Sequence, residues 1–298
     1  MSEPRRRVEW ATLALIGACY LAWVLSVFGL AAIAPGLAVV VTGVVIALHG
    51  SLTHEVLHGH PFRSRALNEA LMFLPLNLFI PYNRFRDLHL RHHCDANLTD
   101  PHDDPESNYL DPAVWDAMAG WKRAVFRANN TLAGRIVLGP AIAQVSFLRA
   151  DWRAAGQGDH AVWLAWGLHG VGGALVVALV VVSPMPLWAY LIAAYLGLSI
   201  LKIRTFLEHR AEDSVRARTV IVEDRGVLAF LFLNNNLHVV HHMHPGAPWY
   251  RLPALYRQGR ERYLQCNGGY VYRSYGEVFR RHFWRAKDPV AHPLWRDG

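Results

Sequence analysis

The chain has 298 residues, 53% of them hydrophobic and only 18% charged, with a formal net charge of +7 and a mean hydropathy of +0.13. That hydropathy excludes a disordered, collagen-like or small disulfide-stapled chain, and uncharged runs alternating with stretches dense in Arg and His mark a membrane protein. The basic residues flank apolar runs and no nucleic-acid-reading motif accompanies them, so the charge reads as membrane anchoring and not as a nucleic-acid surface.

Arg5, Arg6 and Arg7 precede an uncharged run at about 11–34, longer than the roughly 7–15 residues of a signal-peptide core, so it is expected to be a retained first span. Pro35-Gly36 turns the chain into a second span at about 37–57. The polar stretch 61–160 is interrupted at Leu71–Tyr82, which holds Pro75 and Pro81, and at Leu132–Leu148, which holds Arg135 and Pro140. Both pieces fit interfacial or re-entrant helices better than full spans. A third span at about 161–182, a turn at Ser183–Pro186 and a fourth span at about 187–203 follow, and 204–298 is polar apart from Val227–Leu233. Cys19, Cys94 and Cys266 share no CxxC spacing, so neither a disulfide framework nor a zinc ribbon is expected.

The fold expected is all-α and integral to the membrane. A single domain, 1–298, has four transmembrane helices in two hairpins, and a cytosolic helical cap is formed by 61–160 and 204–298. Both hairpin turns lack charge, so every Lys and Arg falls on the opposite face. The positive-inside rule makes that face cytoplasmic, together with both termini, in a bacterial-type inner (plasma) membrane.

Seventeen histidines are the chemical signal. His54 and His58 stand one helical turn apart at the end of the second span, a spacing by which two imidazoles share a metal. His89, His92, His93 and, much later, His238, His241, His242 each form an HxxHH cluster whose members share a helical face. Glu208-His209-Arg210 is expected about 33 Å along the helix from Leu187, at the same membrane interface. Nine clustered imidazoles exceed what one first-row ion holds, so two ions are implied. His54-Glu55-x-x-His58 alone would suggest zinc hydrolysis with Glu55 as general base, but that reading leaves both HxxHH clusters idle. A haem site would need one histidine on each of two spans, and for the only candidates, His49 and His169, packing or interhelical hydrogen bonding is the expected role.

At these residues the chain resembles the superfamily of membrane fatty acid desaturases and related hydroxylases, with its HxxxH, HxxHH and HxxHH boxes, from about His54 to Pro253. Leu98-Thr99-Asp100-Pro101, Asp103-Asp104-Pro105-Glu106-Ser107, Glu208-His209-Arg210, His244-Pro245-Gly246 and Pro248–Pro253 extend the likeness. The resemblance implies a membrane cone capped by a cytosolic domain holding two non-haem irons, with O2 as co-substrate. Its metal ligands would be His54, His58, His89, His92, His93, His238, His241 and His242, with His209 as the extra histidine outside the boxes. Asn235 or Asn234 would be a water-mediated neighbour and Glu55 an acceptor that orients an imidazole. Asp100, Asp103 and Asp104 would support ligands or form a turn and helix cap, while His60, His102 and His244 would play supporting or structural parts. The reaction expected is desaturation of a fatty acyl or other lipid chain. Hydroxylation of a carotenoid, alkane or similar apolar substrate, including oxidative demethylation or decarboxylation, is the alternative, and an intramembrane zinc hydrolase is a distant one. No flavin fingerprint, iron–sulfur cysteine set or fused cytochrome is present, so electrons are expected from an external ferredoxin-like or other small redox protein. The Arg-rich segments Arg251–Arg262 and Arg273–Arg285 are expected either to dock it or to contact lipid headgroups.

Overall fold

A computed structural model describes residues 8–94 and 97–295. The chain divides into two compact units, neither continuous in sequence: residues 1–86 with 144–200, and residues 87–143 with 201–298. Nearly all regular structure is helical, and strand among the described residues is confined to one parallel pair of two-residue segments.

In the first unit, four helices are long and apolar enough to cross a membrane: α1 (Trp10–Ile33) and α2 (Pro35–Leu57), then, after the intervening chain, the helices His160–Val181 and Leu187–Thr205. Each lies within two residues of an expected span, because the absence of charge that admits a segment to lipid also delimits it. Pro35 opens α2 at a position whose N–H has no intrahelical acceptor. Spans one and two are joined by Ser26 Oγ, 2.8 Å from Thr42 Oγ1, and by Cys19 Sγ donating to the Val45 carbonyl. Trp23 Nε1 donates to the Tyr190 hydroxyl at 3.1 Å, and that hydroxyl donates on to the Leu76 carbonyl at 2.7 Å. The outward faces remain apolar, with Leu21, Leu25, Leu164 and Val171 all more than half exposed, as lipid contact demands.

Between the two hairpins lie α3 (Arg65–Leu71), α4 (Tyr82–Cys94), α5 (Pro112–Asp116), α6 (Gly120–Asn129) and α7 (Leu132–Gly156). The expected helix at Leu71–Tyr82 does not form. Pro75 and Pro81 lack donors, and Asn77 Oδ1 instead accepts the Phe79 and Ile80 N–H groups at 2.8 and 2.9 Å in a local turn. Leu132–Leu148 lies within a longer helix, α7, set at 117° to α6. The third and fourth spans are α8 (His160–Val181) and α9 (Leu187–Thr205). Asp159 caps α8 by accepting from Ala161 N.

In the second unit, α10 (Val227–Leu231), α11 (His238–Met243), α12 (Leu252–Cys266) and α13 (Tyr275–His282) surround β1 (Ile221–Val222) and β2 (Val271–Tyr272). The strands pair Ile221 with Val271 and Val222 with Tyr272. Ile221, Leu237, Val239, Val240, Leu252, Tyr256 and Tyr263 form the core beneath α11. One expectation is corrected here: Glu208-His209-Arg210 is not helical. Helix α9 ends at Thr205, and the next backbone groups turn to the chain opposite, with Val220 N donating to Glu208 O at 3.1 Å and Arg210 N to Arg218 O at 2.9 Å. His209 is therefore carried on an extended segment bridged to Thr219.

Candidate metal centre

On α4 the spacing of His89, His92 and His93 puts three imidazoles on one side of the helix, and α11 does the same for His238, His241 and His242. Consecutive residues on a helix point about 100° apart, so each HxxHH cluster splits. In each, the two histidines one turn apart converge: His93 Nε2 lies 3.0 Å from His89 Nε2, and His242 Nε2 lies 3.2 Å from His238 Nε2. The third member of each cluster turns to the other cluster's pair. His241 Nε2 is 3.0 Å from His93 Nε2, while His92 joins His238 and His242 around His209, whose Nε2 is 3.0 Å from that of His92 and 3.2 Å from that of His238. The second unit thus gathers its box histidines into two sets: His89, His93 and His241, and His92, His209, His238 and His242.

The opposite ring nitrogens explain what the Nε2 atoms are for. His92 Nδ1 is 2.7 Å from Asp104 Oδ1, His89 Nδ1 is 2.7 Å from Glu106 Oε1, and His238 Nδ1 is 3.0 Å from Asn235 Oδ1. Each partner atom can only accept, so each Nδ1 carries a hydrogen, and whenever one of these rings is neutral its Nε2 is the bare lone pair. Asp104 is itself fixed, its Oδ2 accepting Thr99 N at 2.8 Å and its Oδ1 accepting Glu106 N at 2.9 Å. Lone pairs brought to 3.0–3.2 Å of one another repel unless something positive lies between them. Two nitrogens about 2.1 Å from one ion and at right angles stand about 3.0 Å apart, so the observed spacings suit a shared metal.

Charge on these rings is disfavoured in most positions. Burial, reinforced by neighbouring imidazoles, holds His209, His238 and His242 well below the ordinary histidine range and pushes His93 down to about 3. His92 is the exception: burial works against its charge, but Glu106 and Asp104 prevail and raise it to about 9. Glu106 is held well below the usual carboxylate range because His89 and His92 outweigh its partial burial. A cluster in which four of the imidazoles are held neutral beside the Glu106 carboxylate is a site prepared for a cation.

His54 and His58 belong to the first unit, at the C-terminal end of α2, with ring centroids 5.0 Å apart. Near them Glu55 Oε1 is 3.9 Å from His60 Nε2, and His60 Nδ1 is 2.7 Å from Glu9 Oε2, so His60 ties the start of α1 to the end of α2. Asn235 Oδ1 bonds His238 Nδ1 directly, and Asn234 donates to Trp249 O. Asp100 accepts from the N–H groups of His102 and Asp103 in a turn, His102 pairs with Asp111 at the surface, and His244 bonds Tyr263. Glu106 stands in the Asp103–Ser107 motif that extends the resemblance, and its bond to His89 is a role that the motif alone does not assign. Arg260, at the surface, is held by Glu223 at 2.7 Å.

A family model described as fatty acid desaturase matches residues 29–275. Comparison with curated proteins finds none that matches.

Proposed function

This chain belongs to the fatty acid desaturase family, and we propose that it is an O2-dependent, non-haem di-iron membrane oxidoreductase whose reaction is desaturation of a fatty acyl or other lipid chain. The observation that carries the proposal is the pair of convergent Nε2 sets, with Nδ1 atoms of His89, His92 and His238 tied to acceptors. His92, His209, His238 and His242 would hold one iron, and His89, His93 and His241 contribute to the other. His54 and His58 are proposed as further ligands on the strength of their one-turn spacing and the family's box pattern. Bound iron would supply O2 activation and the removal of hydrogen from an unactivated C–H bond. The protein's own part is to hold seven Nε2 atoms in register. Asp104, Glu106 and Asn235 fix the rings that provide three of them, and Glu55 is proposed to orient an imidazole of the first box.

Electrons would come from an external ferredoxin-like or other small redox protein, a reading supported by a sequence in which no flavin fingerprint or iron–sulfur cysteine set is seen. Arg260 is engaged by Glu223, so a docking role in the Arg-rich segment falls to exposed neighbours such as Arg257. The positive-inside rule supports, as part of the same proposal, a cytoplasmic side for the box-bearing segments in a bacterial-type plasma membrane.

The test is elemental analysis of protein expressed with balanced metals, followed by mass spectrometry of lipids incubated with O2 and a reduced donor. About two irons per chain and alkene formation dependent on both reagents are expected. One zinc per chain and no iron would overturn the oxidoreductase reading, and a hydroxylated product in place of an alkene would replace desaturation by hydroxylation.

A further inference from the structure

Helix α6, in the second unit, has ten residues and is about 15 Å long at 1.5 Å per residue, too short to cross a bilayer by itself. Its sequence is amphipathic, but the apolar side is turned outward. Trp121, Ala124 and Ala128, spaced i, i+3 and i+7 along one side, are all exposed, Trp121 at 68%, while the buried residue of the helix is Asn129 and Arg123 is half-buried. A helix packed on a protein in water buries its apolar side and leaves its cations outside. Here a tryptophan is more exposed than an arginine of the same helix.

A second segment reaches the same place. Ala133 N donates to Phe283 O and Lys287 N donates to Asn130 O, both at 3.1 Å, so the chain at 283–287 is joined to the turn between α6 and α7. It carries Trp284, 79% exposed. Exposed cations accompany both rings, Lys122 and Arg127 on α6 and Arg280, Arg281 and Arg285 around Trp284, and neither 117–150 nor 278–287 contains an Asp or Glu. Arg281 is paired with Glu277 at 2.6 Å, whereas Lys122, Arg127, Arg280 and Arg285 have no carboxylate in ion-pair reach among the described residues. Lys122 and Arg127 instead lie over the rings of Trp121 and Trp115, at 5.5 and 5.6 Å. The face is therefore aromatic, basic and free of acids.

We propose that this face, made by α6 and the chain around Trp284, rests in the headgroup layer of the membrane and binds anionic phospholipid, its tryptophans seated among the headgroups and its cations on their phosphates. An acidic protein would meet the same charges. The exposed tryptophans favour lipid, because an apolar ring with a polar N–H tip settles at the boundary between hydrocarbon and water, and the chain already carries four helices fit to span that boundary. The inference rests on neither the metal sets nor the reaction.

The experiment is electron paramagnetic resonance on the full chain in nanodiscs. Cys94 and Cys266 are replaced by serine, Cys19 being buried, and a spin label is placed at Ala124→Cys or at Ala286→Cys, both exposed positions. Collisions with O2, which enters lipid, are compared with collisions with a water-soluble nickel chelate. In phosphatidylcholine mixed with phosphatidylglycerol both labels should favour O2. Omitting phosphatidylglycerol, or replacing Lys122 and Arg127 by Gln, should move the Ala124→Cys label toward the nickel reagent. The preference for spin-labelled phosphatidylglycerol over phosphatidylcholine should fall by up to about fivefold for each charge removed. If one labelled variant fails to fold, the other decides. Labels as open to nickel in both bilayers as a label in water would overturn the proposal, and so would labels that leave water only when an acidic ferredoxin is added, which would give the face to a protein. Equal depth in both bilayers and in the Gln variants would overturn the choice of anionic lipid.

Discussion

Asp104 governs His92 more closely than any other side chain does. One oxygen receives the His92 Nδ1 hydrogen and Glu106 N, while the other receives Thr99 N, so the carboxylate is fixed before it fixes the ring. Without it, His92 is free to move its hydrogen to Nε2 and lose its lone pair to the set. Asp104→Ala should weaken iron binding about 10- to 100-fold with the helical content intact, and Asp104→Asn, which keeps an acceptor, should recover part of the loss. Chelator competition monitored by iron content measures both, and an unchanged affinity in Asp104→Ala would show that Asp104 does not orient the ring. The pairing of Asp104 with His92 was half legible in the sequence, where the Asp-rich stretch after the second box fits either a ligand support or a turn. The structure divides those roles, with Asp100 in the turn and Asp104 on the imidazole. Which histidine joins which set was not legible, because the exchange of His92 and His241 between clusters depends on where α4 and α11 lie in space and not on their spacing.

At the scale of elements, the second and fourth spans approach so closely that a methyl group has no room. A Cβ on Gly197 would stand 2.9 Å from the Gly43 carbonyl oxygen and 2.7 Å from Ile46 Cγ2, and the obstructing carbonyl belongs to the backbone, which cannot rotate away. Gly197→Ala should destabilise the first unit by about 1–3 kcal/mol, whereas Gly170→Ala, with nothing near its Cβ position, should be mild. Thermal midpoints in one detergent compare them, and equal shifts would remove close backbone approach as the reason for the glycine. In the second unit, Glu223 accepts from Tyr256 at 2.6 Å and from Arg260 at 2.7 Å, binding the end of β1 to α12. The Arg260 bond holds the Glu223 carboxyl below its ordinary range. A carboxylate depressed in the folded state contributes stability above its unfolded pKa and loses it as pH falls through the folded one. Arg260→Ala should therefore lower stability modestly at neutral pH, and the difference should shrink as pH falls below the ordinary carboxylate range and through the folded pKa of Glu223. A pH-independent difference in chemical unfolding would mean that Arg260 acts through packing. The ends of elements were the least legible part of the sequence: α9 stops at Thr205 because residues 208–210 find backbone partners at 218–220, a non-local pairing that no helical periodicity signals.

At the scale of the whole molecule, the spans were legible because lipid imposes a single compositional rule on each, and four helices among the described residues satisfy it. The number of crossings still turns on α6 and α7, a pair that also passes the test of length and apolar composition but bends by 117° between its members. Arg149, Asp151 and Arg153 crowd the end of α7, and Asp151 is buried against Arg84 at 2.7 Å and Trp166 at 2.8 Å. A segment so rich in charge is costly to carry through hydrocarbon, which favours four crossings. The two counts differ in one observable. With four, the turns at Pro35-Gly36 and Ser183–Pro186 lie on the same side of the membrane; a fifth crossing between them places them on opposite sides. Gly36 and Pro184 are both exposed, and a Cβ at Gly36 meets nothing within 4 Å, so single cysteines are tolerable at each. Cys266 is replaced by serine to silence it, Cys19 is buried, and Cys94, exposed on α4, is kept in a separate variant as the reference for the opposite face. In intact cells a membrane-impermeant maleimide should label Gly36→Cys and Pro184→Cys, while Cys94 should label only after permeabilisation. Labelling of the two turns from opposite sides would establish the fifth crossing, and labelling of Cys94 alone in intact cells would invert the orientation and place the second histidine box outside the cytoplasm.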